Sequence, residues 1–371
     1  MFVNLLDISY YLYMVNSISK KTFLALIFLS IISVGFSFAQ ENKLSPELNI
    51  FNWEDYIDSA AIEGFEKKFG VKVNMFNFEN EDEMIAGVES DPARYDLAII
   101  SGDQVKDLIR MKLVAKIDYK NIPNIKNINP KFLNPNYDRD NTYSVPYLWG
   151  TTGIVINKKY ITGSKSWQIL FDPKYKGKIA MLNGYNEVLG STLKSLKYSY
   201  NTKTRLELEE AKSKMFSQKE IVAGYFDSIT LREKMINEDL WAAQIYSGEG
   251  IGASKKNPSV EYFIPEEGAV VWVDNFIVPR DSENKYTAEI FINYMLDPKI
   301  SAETANYEWY ANCNLAAEKY MSAEVLNDKT IYPDEEVMGR CEFPALSDIS
   351  KEDPAVLQFW NKAISDLQLY P

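Results

Sequence analysis

Past residue 47 the apolar positions follow two rhythms in turn. Residues 48–51 form a short apolar run that ends at Trp53. Asp58 or Ser59 then stands where a helix cap belongs. Ile62, Phe65 and Phe69 fall on one helical face, and Gly70 follows as a residue suited to ending the helix. Val71, Val73 and Met75 alternate with polar neighbours, which predicts a second strand. The run 81–90 carries Met84, Ile85 and Val88 at helical spacing, and 95–100 reads as a strand buried on both faces. Strands alternating with helices imply a parallel sheet with right-handed crossovers. Ligands of such sheets bind beyond the carboxyl ends of the strands. That rule puts Trp53 and Asp55 (after strand one) and Ser101 (after strand three) at a crevice.

Tyr143-Ser144-Val145-Pro146-Tyr147 interrupts the pattern, and a strand is expected to resume over 151–157. This interruption reads as a first crossing into a second lobe. Residues 166–254 hold a second set of strands and helices, with strands at 179–182 and 241–246, the latter running into Ser247-Gly248-Glu249-Gly250. The Val, Trp, Phe and Ile run at 270–279 reads as a strand returning to the first lobe. The expectation is a hinge-closing pair of lobes: 40–145 with 272–318, and 146–271 with 319–371.

Composition narrows what such a cleft can do. The chain has 371 residues and a formal net charge of −12, which fits two domains and argues against a nucleic-acid partner. It has no histidine, so a Ser-His-Asp triad, a Cys-His dyad or a His-rich zinc site is impossible. No Asp-rich loop with EF-hand spacing appears, and no cofactor or metal is called for. Cys313 and Cys341 are its two cysteines; a bridge and two free thiols are equally open.

The N-terminus reads as a cleavable secretory signal over residues 1–39. Lys20 and Lys21 are the charged region, 22–36 the apolar stretch, and Ser37-Phe38-Ala39 the small-x-small cleavage site. Met14 stands at a suitable distance to be the true start, leaving 1–13 as extra sequence. No cysteine follows the cleavage site for a lipid, and the apolar run is short for a membrane span. The expected compartment is the periplasm, with no membrane anchor.

Two Trp-x-Asp signatures carry the candidate chemistry: Trp53-Glu54-Asp55, followed by Tyr56, and Trp272-Val273-Asp274. In an extended segment residues i and i+2 point the same way, so ring and carboxylate can face one ligand. The ring offers cation–π attraction and an apolar wall, and the acid offers charge, which together suit an organic cation. Taken alone, the two tryptophans are more often core residues, and Asp55 reads equally well as a helix cap.

The blocks Ile50-Phe51-Asn52-Trp53-Glu54-Asp55-Tyr56, Tyr143-Ser144-Val145-Pro146-Tyr147-Leu148-Trp149-Gly150, Pro173-Lys174-Tyr175-Lys176-Gly177, Pro265-Glu266-Glu267-Gly268, Trp272-Val273-Asp274 and Asn314-Leu315-Ala316-Ala317 occur in one order along the chain. In these blocks the sequence resembles the periplasmic spermidine/putrescine-binding proteins of ABC transporters. The resemblance implies an α/β, two-lobed type II periplasmic binding protein fold, each lobe a mostly parallel sheet flanked by helices, with the ligand cleft between them. It implies capture of a polyamine, delivery to an inner-membrane ABC permease, a monomer, and no enzymatic step.

Carried over residue by residue, the resemblance implies ligand contacts at Trp53, Asp55, Tyr56, Ser101, Glu187, Ser228, Trp272, Asp274 and Tyr310, with Tyr307 a rival to the last. Spermidine-preferring members have an acid where this chain has Gly184, a tryptophan at Tyr246, a tyrosine at Asp103 and a glutamine at Pro344. Putrescine-preferring members have an acid at the place of Glu249. The expected acids are therefore Asp55, Glu187, Glu249 and Asp274, closer to the putrescine pattern, with Tyr246 as a further wall. Glu54 is a neighbouring acid expected to point elsewhere. A diamine fits physically, because each buried ammonium needs a carboxylate and aromatic walls gain about 0.8 kcal/mol per buried CH₂. Two alternatives stand beside this: another small ligand on the same fold, and a carboxylate-dependent hydrolase. The hydrolase needs one acid with a raised pKa beside one that stays ionised, whereas diamine binding needs its acids grouped at the two ends of an aromatic slot, all ionised.

Overall fold

The computed structural model describes residues 43–344. The signal segment, and 345–371 of the expected second lobe, lie outside the described residues. Among the described residues no helix is long and apolar enough to cross a membrane.

The chain opens with β1 (Glu47–Trp53), α1 (Ser59–Phe69), β2 (Lys72–Phe78), α2 (Glu81–Ser90), β3 (Leu97–Ser101) and α3 (Gly102–Met111). Local chemistry sets these boundaries. The Asp58 carboxylate accepts from the Ala60 N–H to start α1, and Gly70 ends it in the left-handed region at φ 68°. Asn80 caps α2 through the Glu83 N–H. The long β4 (Ser144–Asn157) follows, then β5 (Ile179–Leu182), α4 (Tyr185–Ser195), α5 (Arg205–Lys219), β6 (Gly224–Phe226), α6 (Ser228–Ile236), β7 (Ala242–Tyr246), α7 (Ser247–Lys256) and β8 (Val260–Phe263). β9 (Val270–Ile277), α8 (Lys285–Met295), α9 (Pro298–Glu308) and β10 (Ala311–Asn312) complete the frame.

Among the described residues ten strands form one continuous sheet, in the order β2-β1-β3-β9-β4-β7-β5-β6, with β8 and β10 also paired to β4. The two ends are parallel, as expected: β1 with β2 and β3, and β5 with β6 and β7. The middle is antiparallel, because β4 runs against both β9 and β7. The expected break at 143–147 is instead the first part of β4, which runs unbroken through 157. A register irregularity between Pro146 and Trp149 takes up the proline, which has no N–H to give a regular ladder.

The period-2 pattern places each strand between two apolar layers. Leu48, Ile50, Leu97 and Ile99 face one core with Phe65 and Phe291, whereas Phe51, Ala98 and Ile100 face another with Met84, Val88 and Leu108. At the far end Ala180, Leu182, Ala243 and Ile245 join the first of these cores, and Ile179, Met181 and Ala242 turn to a third with Trp167 and Leu193. Burial on both faces leaves the carboxyl ends of the parallel strands as the place where polar side chains can gather. Cys313 and Cys341 are both free thiols, the first buried and the second half-buried.

Candidate functional site

The carboxyl ends of both parallel groups meet the β4–β9 pair at one cavity. The space between its side chains is about 690 Å³, part of it open to solvent. Trp53 ends β1, Ser101 ends β3, Tyr246 ends β7, and Glu187 and Ser228 lie in the first turns of α4 and α6. Trp272 and Asp274 sit two apart on β9. These seven, with Tyr56, Glu249 and Tyr310, all line the cavity. Tyr310 is buried, and its rival Tyr307 is exposed.

Register explains several of these placements. Ser101 pairs with Asp274 across β3 and β9, and Thr152 pairs with Val270 on one side and Tyr246 on the other. Gly150 lies opposite Trp272. A Cβ there would come within 2.6 Å of the indole and 2.7 Å of Ser247 Oγ, so the ring needs a glycine beneath it. One aromatic wall runs from Tyr56 to Tyr310 (ring centroids 5.6 Å apart), to Trp272 (5.1 Å) and to Tyr246 (5.8 Å), each step edge-to-face. Trp53 packs against Phe78 at 4.5 Å.

Asp55 departs from expectation. β1 ends at Trp53, Asp55 takes a left-handed φ of 54°, and its side chain is more than half exposed. The i, i+2 rule therefore fails there, and Glu54, expected to point elsewhere, lines the cavity instead. Asp55 lies 3.7 Å from Arg232 Nη2. The same guanidinium donates from Nη1 to Glu249 Oε2 at 2.7 Å, so Glu249 reaches the cavity already paired.

Sequence reasoning passed over two acids in the lining, Glu81 as a contact and Asp103 as more than a departure. Ser101 Oγ is in hydrogen-bond contact with a Glu81 oxygen and, at 2.8 Å, with Asp103 Oδ1. Gln104 Nε2 donates to the other Glu81 oxygen at 2.8 Å. Glu81 opens α2 just after β2, so the strand-end rule that singled out Trp53 and Ser101 would have found it. Gly184 also gains a reason: a Cβ there would collide with the Glu187 carboxylate, which the Tyr246 hydroxyl approaches at 3.3 Å.

Electrostatically the cavity is starved of positive charge. Burial, helped by the charge on Asp103 and opposed by the Tyr56 hydroxyl, pushes the Asp274 carboxyl up to about 7. Burial and the charges of Asp103 and Glu187 hold Glu81 well above the usual carboxylate range. Asp103 is raised as well, chiefly by burial. Glu249 is pushed up because burial outweighs the attraction of Arg232. Tyr56, Tyr246 and Tyr310 are raised by burial and stay neutral. Carboxylates gathered in this way favour an incoming cation, whose charge offsets their burial and mutual repulsion.

The model of the bacterial extracellular solute-binding protein family matches residues 60–333. The chain belongs to that family. Among its relatives, the spermidine/putrescine-binding periplasmic protein of Escherichia coli is 31% identical over 315 residues, covering 84% of this chain and 90% of that protein. The putrescine-binding periplasmic protein SpuD of Pseudomonas aeruginosa is 30% identical over 363 residues, covering 92% and 97%. The spermidine/putrescine ABC transporter substrate-binding protein PotD of Streptococcus pneumoniae, solved in complex with calcium and HEPES, matches with a TM-score of 0.73 at 31% identity, covering 88% and 99%. The fold of this solute-binding protein is accordingly the two-lobed type II architecture expected from the sequence, with β4 and β9 as the long strands shared by its two parallel groups.

Proposed function

We propose that this protein captures a linear polyamine outside the cytoplasm and delivers it to an ABC permease in the inner membrane. One observation carries the reading. A single cavity combines an unbroken edge-to-face aromatic wall with carboxylates from both parallel groups, Glu81 from one and Glu187 from the other, and with Asp274 on the shared strand β9. Methylenes lie against the rings, and ammonium groups meet the acids. The names of the relatives support the same ligand class and a periplasmic location.

On this reading Trp53, Tyr56, Ser101, Glu187, Ser228, Tyr246, Glu249, Trp272, Asp274 and Tyr310 surround the ligand, with Asp55 at the rim. Acids on both sides bind best in a closed state, so the ligand drives closure by its differential affinity for that state. The lobes divide near 145 and 272, on β4 and β9, and the working unit is a monomer without a membrane anchor. No bond is made or broken. A hydrolase needs one raised acid beside one ionised acid, and a diamine site needs its acids ionised; Asp274, Glu81, Asp103 and Glu249 are raised in the empty cavity, and an ammonium group beside them favours their ionised forms. Calorimetry of residues 40–371 with putrescine, cadaverine, spermidine and spermine tests the proposal. Saturable binding of at least one is expected, and no heat or thermal shift with any of them would sink it.

A further inference from the structure

Beside Glu187 the ligand cavity adjoins a small recess. The two share Thr152, Glu187, Tyr200 and Val270, and the recess adds Gln244 with Gly190 and Ser191 of α4. Register sets its floor on one face of the sheet. Thr152 pairs with Val270 on one side and Tyr246 on the other, and Gln244 stands two residues before Tyr246, so all four point the same way. About 10 Å³ is open there to the centre of a water-sized sphere, enough for one water molecule.

Other polar groups around the recess are satisfied by the protein. Trp167 Nε1 donates to the Gly268 carbonyl at 2.8 Å, the Ser191 hydroxyl to the Val188 carbonyl at 3.0 Å, and the Tyr200 hydroxyl to the Asn186 carbonyl at 3.2 Å. Lys194 Nζ donates to Glu342 Oε1 at 2.9 Å. Gln244 Nε2 donates to the Glu187 carbonyl at 2.7 Å, which fixes the orientation of that amide. Among the described residues nothing pairs with Gln244 Oε1 or with the Thr152 hydroxyl, although the two residues are 1% and 2% exposed. Buried groups of this kind cost stability unless something small joins them.

The donors and acceptors select what that is. Gln244 Oε1 and the Glu187 carboxylate accept, and the Thr152 hydroxyl can donate, so the occupant needs two donors and an acceptor. Water supplies both. An ammonium group has no acceptor to offer, and it would share the recess with Lys194. The Tyr246 hydroxyl approaches Glu187 Oε1 at 3.3 Å, and a water gives the same carboxylate a second hold.

We propose that the recess holds one buried water, which donates to Glu187 and to Gln244 Oε1, accepts from Thr152, and so positions the Glu187 carboxylate for the ligand. Thr152 and Gln244 are then positioning residues that act through Glu187. The effect on binding rests on the polyamine reading, whereas the water does not depend on it.

A high-resolution crystal structure of the unliganded protein should show a water within hydrogen-bond reach of Thr152 Oγ1, Gln244 Oε1 and the Glu187 carboxylate. Thr152→Val keeps the volume and removes the hydroxyl, so it should lose that water, and Thr152→Ser should keep it. In calorimetry Thr152→Val should weaken putrescine and spermidine by about three- to tenfold, and Thr152→Ser should restore them. In a Glu187→Gln background the same Thr152→Val should cost less than about twofold, whereas a merely structural threonine would cost as much in both. A dry recess in the unaltered protein, or equal losses in the two backgrounds, would overturn the proposal and leave the polyamine reading standing. A water in place with no binding of either amine would overturn the polyamine reading and the positioning role with it, while the water itself stands.

Discussion

The two Trp-x-Asp copies look interchangeable along the chain and behave differently in the fold. In Trp272-Val273-Asp274 the strand continues through all three residues, so ring and carboxylate emerge on one side and both face the cavity. In Trp53-Glu54-Asp55 the strand stops at the tryptophan, the chain turns through a left-handed Asp55, and the middle acid takes the cavity position. Burial follows the same division. Asp274 is 6% exposed beside Ser101 and Tyr56, whereas the Asp55 side chain is 57% exposed and faces Arg232. An identical local motif becomes a buried anchor in one place and a rim charge in the other, because hydrogen-bonded neighbours extend past one copy and not the other.

This contrast can be broken most directly at Asp274. Asp274→Asn, which keeps the volume and removes the charge, should weaken polyamine binding by about a hundredfold or more in calorimetry. A loss under about threefold would take Asp274 out of the site.

A smaller effect follows from its titration. With the carboxyl at about 7 in the empty protein, a cation must displace a proton below that pH, so spermidine affinity should fall about tenfold between pH 8 and pH 6. The folded-state value lies above the unfolded one, so this group's contribution to stability is present at low pH and is lost as pH rises through about 7. The unliganded melting temperature should therefore drop from pH 6 to pH 8, and saturating spermidine should remove the drop. A flat affinity profile over that range, together with a flat melting profile, would show that Asp274 is ionised throughout.

The smallest change is expected at the other copy. Asp55→Asn should cost about threefold at most, as an exposed charge 3.7 Å from its partner does. An effect matching that of Asp274→Asn would make the two copies equivalent after all.

Local pattern carried much of the fold into view. The helix caps at Asp58 and Gly70, the strands at both ends of the sheet and the strand-end positions of Trp53, Ser101 and Tyr246 depend on spacing and on single-residue backbone preferences. Pro146 misled because a proline inside a strand ordinarily argues against one, and only the pairing of β4 with β9 on one side and β10 on the other shows how a local irregularity absorbs it. Glu81 escaped notice for a different reason. It lies 20 residues from Ser101 along the chain, and the two meet only because β1, β2 and β3 pair in parallel and bring the ends of β2 and β3 to the same edge.

The sequence alone thus determined the class of architecture, the exclusion of histidine chemistry and a set of aromatic and acidic residues suited to a cation. The tertiary structure decided which acids are available. Arg232 reaches Glu249 from another helix, Glu54 replaces Asp55 at a turn, and Ser101 gathers Glu81 and Asp103 into one cluster. Periodicity reports which way a side chain points from its own element. Charge compensation depends on what arrives from the others, and that distance is set only when the sheet closes.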